Sequence, residues 1–435
     1  MASTYLTRTH GTPTNAKKHT FSVWVKLSLD TTNHDFMFGV YNGSSRNNYF
    51  IKSGSDNTLA MENVVGGNSA GYFFTNRKFR DCNAWYHIVV AEDTTQATAS
   101  DRVKVYVNGV QETSFSSISY PSQNIDDLIN SSGSTVYVGQ RGGSYGYLDG
   151  SMSHMHFIDG TAYDATAFGE FDANGVWKIK TDVSVTYGTN GFFILKDGNS
   201  VTDQSGNSNN FTVGGGTLTN TEDNPSNVFA TWNPLDHRSS NWNMQNGNTR
   251  LQGTGGDTWE TRRAISTLGA SSGKYYAEVK MTTAGTDSYP FGVGYDVFEL
   301  SYSSSMGSNS NFWGYFQPAG GQIYGGGTGS PLQTSLGGGT GDIIGIALDI
   351  DNLTLQFYKN GSTMGSQITG LPSGKTWFFA SSGYGNTNTF DTNFGNGYFG
   401  TTAVSSAGTN ASGIGIFEYD VPTGYTALST KGLNL

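Results

Sequence analysis

The chain is poor in cysteine, charge and long apolar runs, and each shortage removes a class of protein. One cysteine, Cys82, stands among 435 residues, so no intrachain disulfide closes and stability must come from sheet and core. Charged residues make up 13%, about half the ordinary share. The 24 Lys and Arg are scattered and the formal net charge is −10, so nothing here would neutralise a phosphate backbone and nucleic acid is excluded as a partner. No stretch approaches the ~20 apolar residues that span a bilayer, and Met1–Thr20 carries no apolar signal core. The expectation is a chain folded in the cytoplasm that made it, with no membrane insertion. No segment sustains a helical or heptad period, which excludes a self-trimerising coiled-coil shaft.

What is abundant is glycine, 60 residues and about twice the usual frequency, together with 26 Phe, 24 Tyr and 8 Trp. Tight turns and large rings suit short strands around a sandwich core. Lys104–Glu112 reads KVYVNGVQE and Leu353–Gly361 reads LTLQFYKNG. Each run ends in Asn-Gly, the pair that accepts the two positive φ angles of a type I′ hairpin turn. One strand series runs through Phe21–Leu27, Phe36–Tyr41, Tyr49–Lys52, Trp85–Ala91, Val103–Val107, Val136–Gly139 and Ser151–Ile158. A second runs through Lys274–Thr282, Phe291–Tyr295, Trp313–Phe316, Ile343–Asp349, Leu353–Tyr358 and Trp377–Ser381. Between them, residues 214–241 lose periodicity and contain Pro225 and Pro234, while Val228, Phe229, Trp232 and Leu235 mark the segment as packed rather than free. The fold class is therefore all-β, two consecutive antiparallel jelly-roll sandwiches. Residues 1–213 form the first, 214–241 connect, 242–400 form the second, and 401–435 pack on that sandwich or on a neighbouring subunit.

Several constellations invite a chemical reading. His154 and His156 alternate on one strand, a zinc-like spacing, but no third ligand lies near, so they are expected at the solvent or at an interface. Asp349 and Asp351 end a strand, where aspartate caps its own turn. The glycine-rich stretch Gly320–Gly341 is expected to be mobile or pinned by a partner. Tyr145 and Tyr147 in GGSYGYLDG, Tyr324 in GGQIYGGG and Tyr384 in SSGYGNTN are the ligand-binding candidates. A sugar ring offers an apolar face to an aromatic and hydroxyls to polar neighbours; the same rings can instead pack on their own domain or on another subunit.

Phe21–Ser28 (FSVWVKLS), Asn83–Asp93 (NAWYHIVVAED), Val103–Gln111 (VKVYVNGVQ) and the run Val136–Phe171 resemble the laminin-G-like, concanavalin-type lectin family in its pentraxin-like branch. Ser272–Met281 (SGKYYAEVKM), Phe291–Tyr295 (FGVGY), Gly341–Gly361 and Thr389–Gly395 (TFDTNFG) resemble a SPRY domain. The framing segments Tyr5–Lys26, Asp203–Val213, Asn224–Asp236 and Phe417–Leu435 resemble virion surface proteins of marine tailed phages. That resemblance implies a tail-fibre or capsid-attached protein, a homo-oligomer within the virion, contacting other virion proteins and either adhering to host-surface polysaccharide or serving purely as capsid decoration or a tail-associated subunit. The lectin resemblance implies Ca²⁺ as a possible cofactor between two loops, with Asp149, Asp197 and Asp203 as candidate ligands, although no complete ligand set aligns. Concanavalin-type sandwiches also include glycosidases, which need Glu-x-Asp-x-x-Glu on one strand. Here Glu170 and Asp172, and Glu418 and Asp420, supply two positions, but the third falls on Gly175 and on Thr423. No catalytic residue is therefore assigned and no enzyme is expected.

Overall fold

The computed structural model describes residues 3–28, 34–52, 57–143, 145–196, 201–236, 242–254, 263–283, 285, 288–296, 309–317, 320–383 and 388–435. The chain divides into two compact units, Met1–Asn220 and Thr221–Leu435, each a β-sandwich, with helical turns of 3₁₀ type only among the described residues.

In the first unit, eight strands lie in the order Phe115–Ser119, Asn68–Lys78, Thr58–Val65, Arg46–Lys52, Asp35–Tyr41, Thr135–Val138, Tyr5–Thr9 and Thr212–Gly215. The facing sheet runs Phe192–Ile194, Gly150–Asp159, Lys18–Leu27, Tyr86–Asp93, Val103–Val107 and Val110–Glu112. Alternation explains the core. Phe21, Val23 and Val25 point inward from one sheet and Phe38, Tyr49, Ile51 and Leu59 from the other, and the Phe21 and Tyr49 rings stack at 4.9 Å. Tyr5–Thr9 pairs with both Thr135–Val138 and Thr212–Gly215, so the two ends of the unit are tied into one sheet edge.

The second unit pairs Trp242–Gln245, Arg250–Gly253, Thr389–Asn393, Lys274–Thr283, Ile343–Asp349, Thr354–Lys359 and Ser362–Thr369 in one sheet. The facing sheet runs Arg263–Ile265, Trp377–Gly383, Ser288–Tyr295, Phe312–Phe316 and Gln322–Gly325. Thr426–Ala427 adds one short parallel pair beside Tyr275 and Tyr276. The boundary at Asn220 falls inside the segment read as connector, and residues just beyond that boundary belong to the second core. Trp232 is fully buried, its ring meets Phe394 edge-on at 5.1 Å, and its indole N–H donates to Thr392 Oγ1 at 2.9 Å. The C-terminal segment lies on this same sandwich, with Phe417, Val421 and Ala427 buried around Tyr276 and Phe229. Buried Glu278 clamps it by accepting from the Glu418 and Tyr419 amides at 2.9 and 3.0 Å; burial raises that carboxyl to about 7 despite both bonds.

Both Asn-Gly pairs adopt positive φ at both residues, 48° and 79° at Asn108-Gly109 and 48° and 77° at Asn360-Gly361. Each asparagine also accepts from a strand amide, Asn108 Oδ1 from His87 and Asn360 Oδ1 from Ile343, both at 2.8 Å. An aromatic ring covers each glycine: a Cβ at Gly109 would lie 2.2 Å from Trp177, and one at Gly361 2.6 Å from Tyr419.

The glycine-rich stretch corrects the expectation of a mobile or partner-pinned loop, because its own sandwich holds it. Gln322–Gly325 is a strand, the Ile323 amide bonds Gln333 O, the Tyr315 hydroxyl donates to Gly337 O at 2.6 Å, and Lys359 Nζ donates to Leu336 O at 3.0 Å.

Two measurements bear on this architecture. Gly361→Val should cost about 1–3 kcal/mol from the positive φ alone, with displacement of Tyr419 in addition, read as a lower denaturation midpoint of the second unit. A fragment of residues 221–435 should unfold cooperatively, whereas 242–435, lacking Ala230 and Trp232, should lose about 3–5 kcal/mol in chemical denaturation, the usual cost of deleting a buried tryptophan.

Candidate functional site

Gln140–Gly142 and Tyr145–Tyr147 form a hairpin across the outer side of the eight-stranded sheet. The glycines let it lie flat. A Cβ at Gly146 would stand 2.3 Å from the Phe36 ring, and one at Gly142 2.9 Å from Tyr41 and Tyr137. Tyr145 is left 44% exposed. The Arg141 guanidinium sits between two rings, 4.4 Å from the Tyr145 centroid and 5.0 Å from that of Tyr41. No described carboxylate pairs with it. Tyr147 packs 6.2 Å from Tyr5, so it supports this surface more than it presents itself.

Beside the hairpin lies a cavity of about 340 Å³, floored by Tyr41 and Tyr137 and walled by Ser131–Thr135. Strand alternation sets the floor: Val40, Val136 and Val138 are buried between the sheets, so Tyr41 and Tyr137 face outward. The wall begins at the turn Leu128–Asn130, capped by Asp127, whose side chain accepts from the Ile129 amide. Ser131 Oγ donates to Asp127 O at 2.8 Å and Ser134 Oγ to Leu128 O at 3.1 Å, which fixes the segment. Two rings and a hydroxyl-bearing wall thus line a single concave patch, and Arg141 lies against one of those rings, Tyr41. Tyr41, Tyr137 and Arg141 are not among the residues expected from sequence, because they sit on strands and not in glycine-rich loops; the Val-Tyr alternation at Val40-Tyr41 and Val136-Tyr137-Val138 is the signal the sequence carries for the two tyrosines.

The remaining described residues expected from sequence do not join this patch. Tyr324 belongs to a strand, its hydroxyl bonded to Gln322 Oε1 at 3.0 Å and its ring against Phe316 and Tyr289. Tyr384 and Asp197 lie outside the described residues. Asp203 spends both oxygens on its own loop, accepting from the Phe193, Ser205 and Asn209 amides at 2.8–2.9 Å. Asp149 donates its amide to Asp35 Oδ1 at 2.9 Å, and its carbonyl accepts from Ser28. Asp349 accepts from the Asn352 amide and from Lys274, and Asp351 from the Gly273 amide, which ties down the turn.

Three of the four carboxylates in these two pairs are taken up by backbone amides. Asp172 accepts from the Val176 and Asn174 amides and pairs with Lys178 at 3.0 Å, holding its pKa below the usual range, while Glu170 is exposed on Gly169–Phe171. Glu418 accepts from the Ser405 amide and Asp420 from the Thr409 amide. Burial pushes the Cys82 thiol up to about 11, which leaves it a poor nucleophile.

The histidine expectation needs correction. A bulge between Ser153 and His156 puts His154 at φ 48° and breaks the alternation. His156 is buried all the same, on the face opposite the inward Met155 and Phe157, stacking on Phe193 at 3.9 Å with its Nδ1 2.8 Å from the Tyr187 hydroxyl. His87 is also fully buried. Because the Trp177 indole can only donate, at 3.0 Å, His87 Nδ1 accepts and Nε2–H donates to Ser22 Oγ at 2.9 Å. Burial lowers the His87 pKa to about 3.

The fold defines a protein of two β-sandwich modules, and family models assign them as a concanavalin A-like domain followed by a SPRY domain. A family model described as the concanavalin A-like lectin/glucanases superfamily matches residues 2–167, and a SPRY domain model matches residues 274–397. Ran-binding protein 9 of Danio rerio is 33% identical over 110 residues, 25% of this chain and 18% of that protein. Ran-binding protein 9 of Xenopus tropicalis is 30% identical over 145 residues, 32% of this chain and 26% of that protein. The chain thus spans well under a third of these relatives' length. Among solved structures, the TRIM65 PSpry domain is similar with 16% identity and a TM-score of 0.30, covering 38% of this chain and 91% of that one. A SAP-like pentraxin from Limulus polyphemus is 20% identical with a TM-score of 0.27, over 36% of this chain and 70% of that one.

The buried histidine gives a pH dependence. Its folded pKa of about 3 lies below the ordinary ~6.5, so between these values the unfolded state binds more protons. Stability of the first unit present above ~6.5 should therefore fall as pH drops toward 3. Thermal unfolding followed by Trp177 fluorescence should show a falling midpoint over that window, and His87→Phe should flatten the His87 contribution to the slope.

Proposed function

We propose that the chain is a non-catalytic recognition protein of a phage virion surface, whose first unit holds host-surface glycan at the cavity beside the Tyr145 hairpin. One observation carries the binding reading: two outward tyrosines and a hydroxyl-rich wall line one concave patch, with Arg141 at its edge. Rings cover the apolar face of a sugar, and the wall supplies partners for its hydroxyls. The concanavalin A-like match to residues 2–167 supports a lectin-type module, and the framing segments that resemble phage virion proteins support the location. The use of Asp172, Glu418 and Asp420 as acceptors for backbone amides supports binding without cleavage.

A second reading, a structural subunit whose surfaces contact other virion proteins, draws on the SPRY module and on the half-exposed Phe171 and Val176. Ran-binding proteins are named for a protein they bind, and the likeness to them supports a protein partner for the second unit.

Retention on host-envelope polysaccharide and release of reducing ends separate these readings. Wild type should be retained and release nothing. Tyr41→Ala with Tyr137→Ala should weaken binding by about 2 kcal/mol, roughly 30-fold, as loss of a central aromatic anchor does, and Tyr145→Ala with Tyr147→Ala should weaken it less. No retention of wild type, with fixed symmetric copies in the particle, would favour the structural reading. Sugar release abolished by Glu170→Gln or Asp172→Asn would make the protein a hydrolase.

A further inference from the structure

Inside the first unit, between its sheets, three ionisable side chains meet away from water. His19 on Lys18–Leu27 stands directly opposite Glu92 on Tyr86–Asp93, and Asp127 enters from the cap of the turn Leu128–Asn130. All three are 0% exposed. One candidate donor atom from each lies within 4.8 Å of the others, and His19 Nδ1 is 3.4 Å from Asp127 Oδ2. Both oxygens of Glu92, Asp127 Oδ2 and His19 Nδ1 make no hydrogen bond among the described residues.

Two carboxylates and an imidazole nitrogen facing one another in a dry interior repel, and an unpaired buried charge is costly. Something positive must sit among them, either a shared proton or a cation. The surroundings are arranged as around a metal. The outer nitrogen of His19, Nε2, lies 2.6 Å from the Tyr49 hydroxyl, which orients the ring and turns Nδ1 toward the carboxylates. Asn47 Nδ2 donates to the other oxygen of Asp127. Such outer hydrogen bonds orient metal ligands and leave their coordinating atoms clear.

We infer that His19, Glu92 and Asp127 form a buried site for one divalent transition cation of the zinc class. The donor set argues for that class: imidazole with two carboxylates suits Zn²⁺, whereas Ca²⁺ and Mg²⁺ take oxygen donors throughout. Ligand distances of about 2.0–2.2 Å put donor atoms at most ~4 Å apart, so the side chains need to draw in by less than about an ångström. Because Asp127 also caps the turn that begins the wall of the outer cavity, the ion would brace that wall from behind. The inference does not depend on what the cavity binds.

The full chain, unfolded and refolded with Zn²⁺ and then freed of loose metal, should hold one zinc per chain by elemental analysis and melt higher than the chain refolded with chelator. Glu92→Gln and Asp127→Asn, which keep side-chain shape, should each drop the zinc content to near none. Refolding with Co²⁺ gives a readout independent of those variants: wild type should show the intense visible bands of a low-coordinate nitrogen and oxygen site. A chain free of metal after refolding, with no change in melting and only the aqueous Co²⁺ spectrum, would overturn the inference and leave a proton shared between Glu92 and Asp127. Zinc retained undiminished in both folded variants would overturn it equally.

Discussion

The burial of Val40, Val136 and Val138 between the sheets of the first unit governs everything on its outer face. Their register, Val136 opposite Val40 and Val138 opposite Phe38, leaves Tyr41 and Tyr137 no direction but outward, since neighbouring side chains on a strand must alternate. A slip of one residue would bury the tyrosines and expose the valines, at several kcal/mol of lost apolar burial. The cavity floor is thus a by-product of core packing. The hairpin formed by Gln140–Gly142 and Tyr145–Tyr147 then sets Arg141 between the Tyr41 and Tyr145 rings, because Gly142 and Gly146 let backbone rest on aromatic rings.

The two interiors handle buried charge differently. In the second unit, Glu278 is met by two backbone amides and the Tyr276 hydroxyl, so its carboxylate clamps the C-terminal segment. In the first, neither Glu92 oxygen meets a donor among the described residues, and burial drives its carboxyl well above the ordinary range, helped by Asp127. A satisfied buried carboxylate is structural; an unsatisfied one asks for a ligand or a proton. His87 offers a third solution, remaining neutral between an indole donor and a serine acceptor.

Much of the fold was legible because its strongest signals are local. Asn108-Gly109 and Asn360-Gly361 need nothing beyond their own φ angles to specify a hairpin. Val64 to Asn68 carries a comparable sign, Gly66-Gly67 between two strands, which the strand series above leaves out. Features that depend on distant contacts are less legible: Trp232 reads as part of a packed connector, and only Thr392 and Phe394 place it in the second core, while Gly320–Gly341 reads as loose until Tyr315 and Lys359 bond its carbonyls. His154 and His156 alternate in sequence, but the bulge that separates them is set by pairing with Lys18–Leu27. Of the residues proposed for recognition, Tyr145 is legible through its glycine-rich loop, whereas Tyr41, Tyr137 and Arg141 sit on strands and acquire meaning only when sheet order brings them together.

The proposed recognition of ligand at this one patch of the first unit is open to amide hydrogen exchange with and without host-surface polysaccharide. Added protection should be confined to residues 128–137, the turn after Tyr41 and the hairpin strands 140–142 and 145–147, with the second unit unchanged. Protection centred in residues 274–397, or none at saturating polysaccharide, would contradict it.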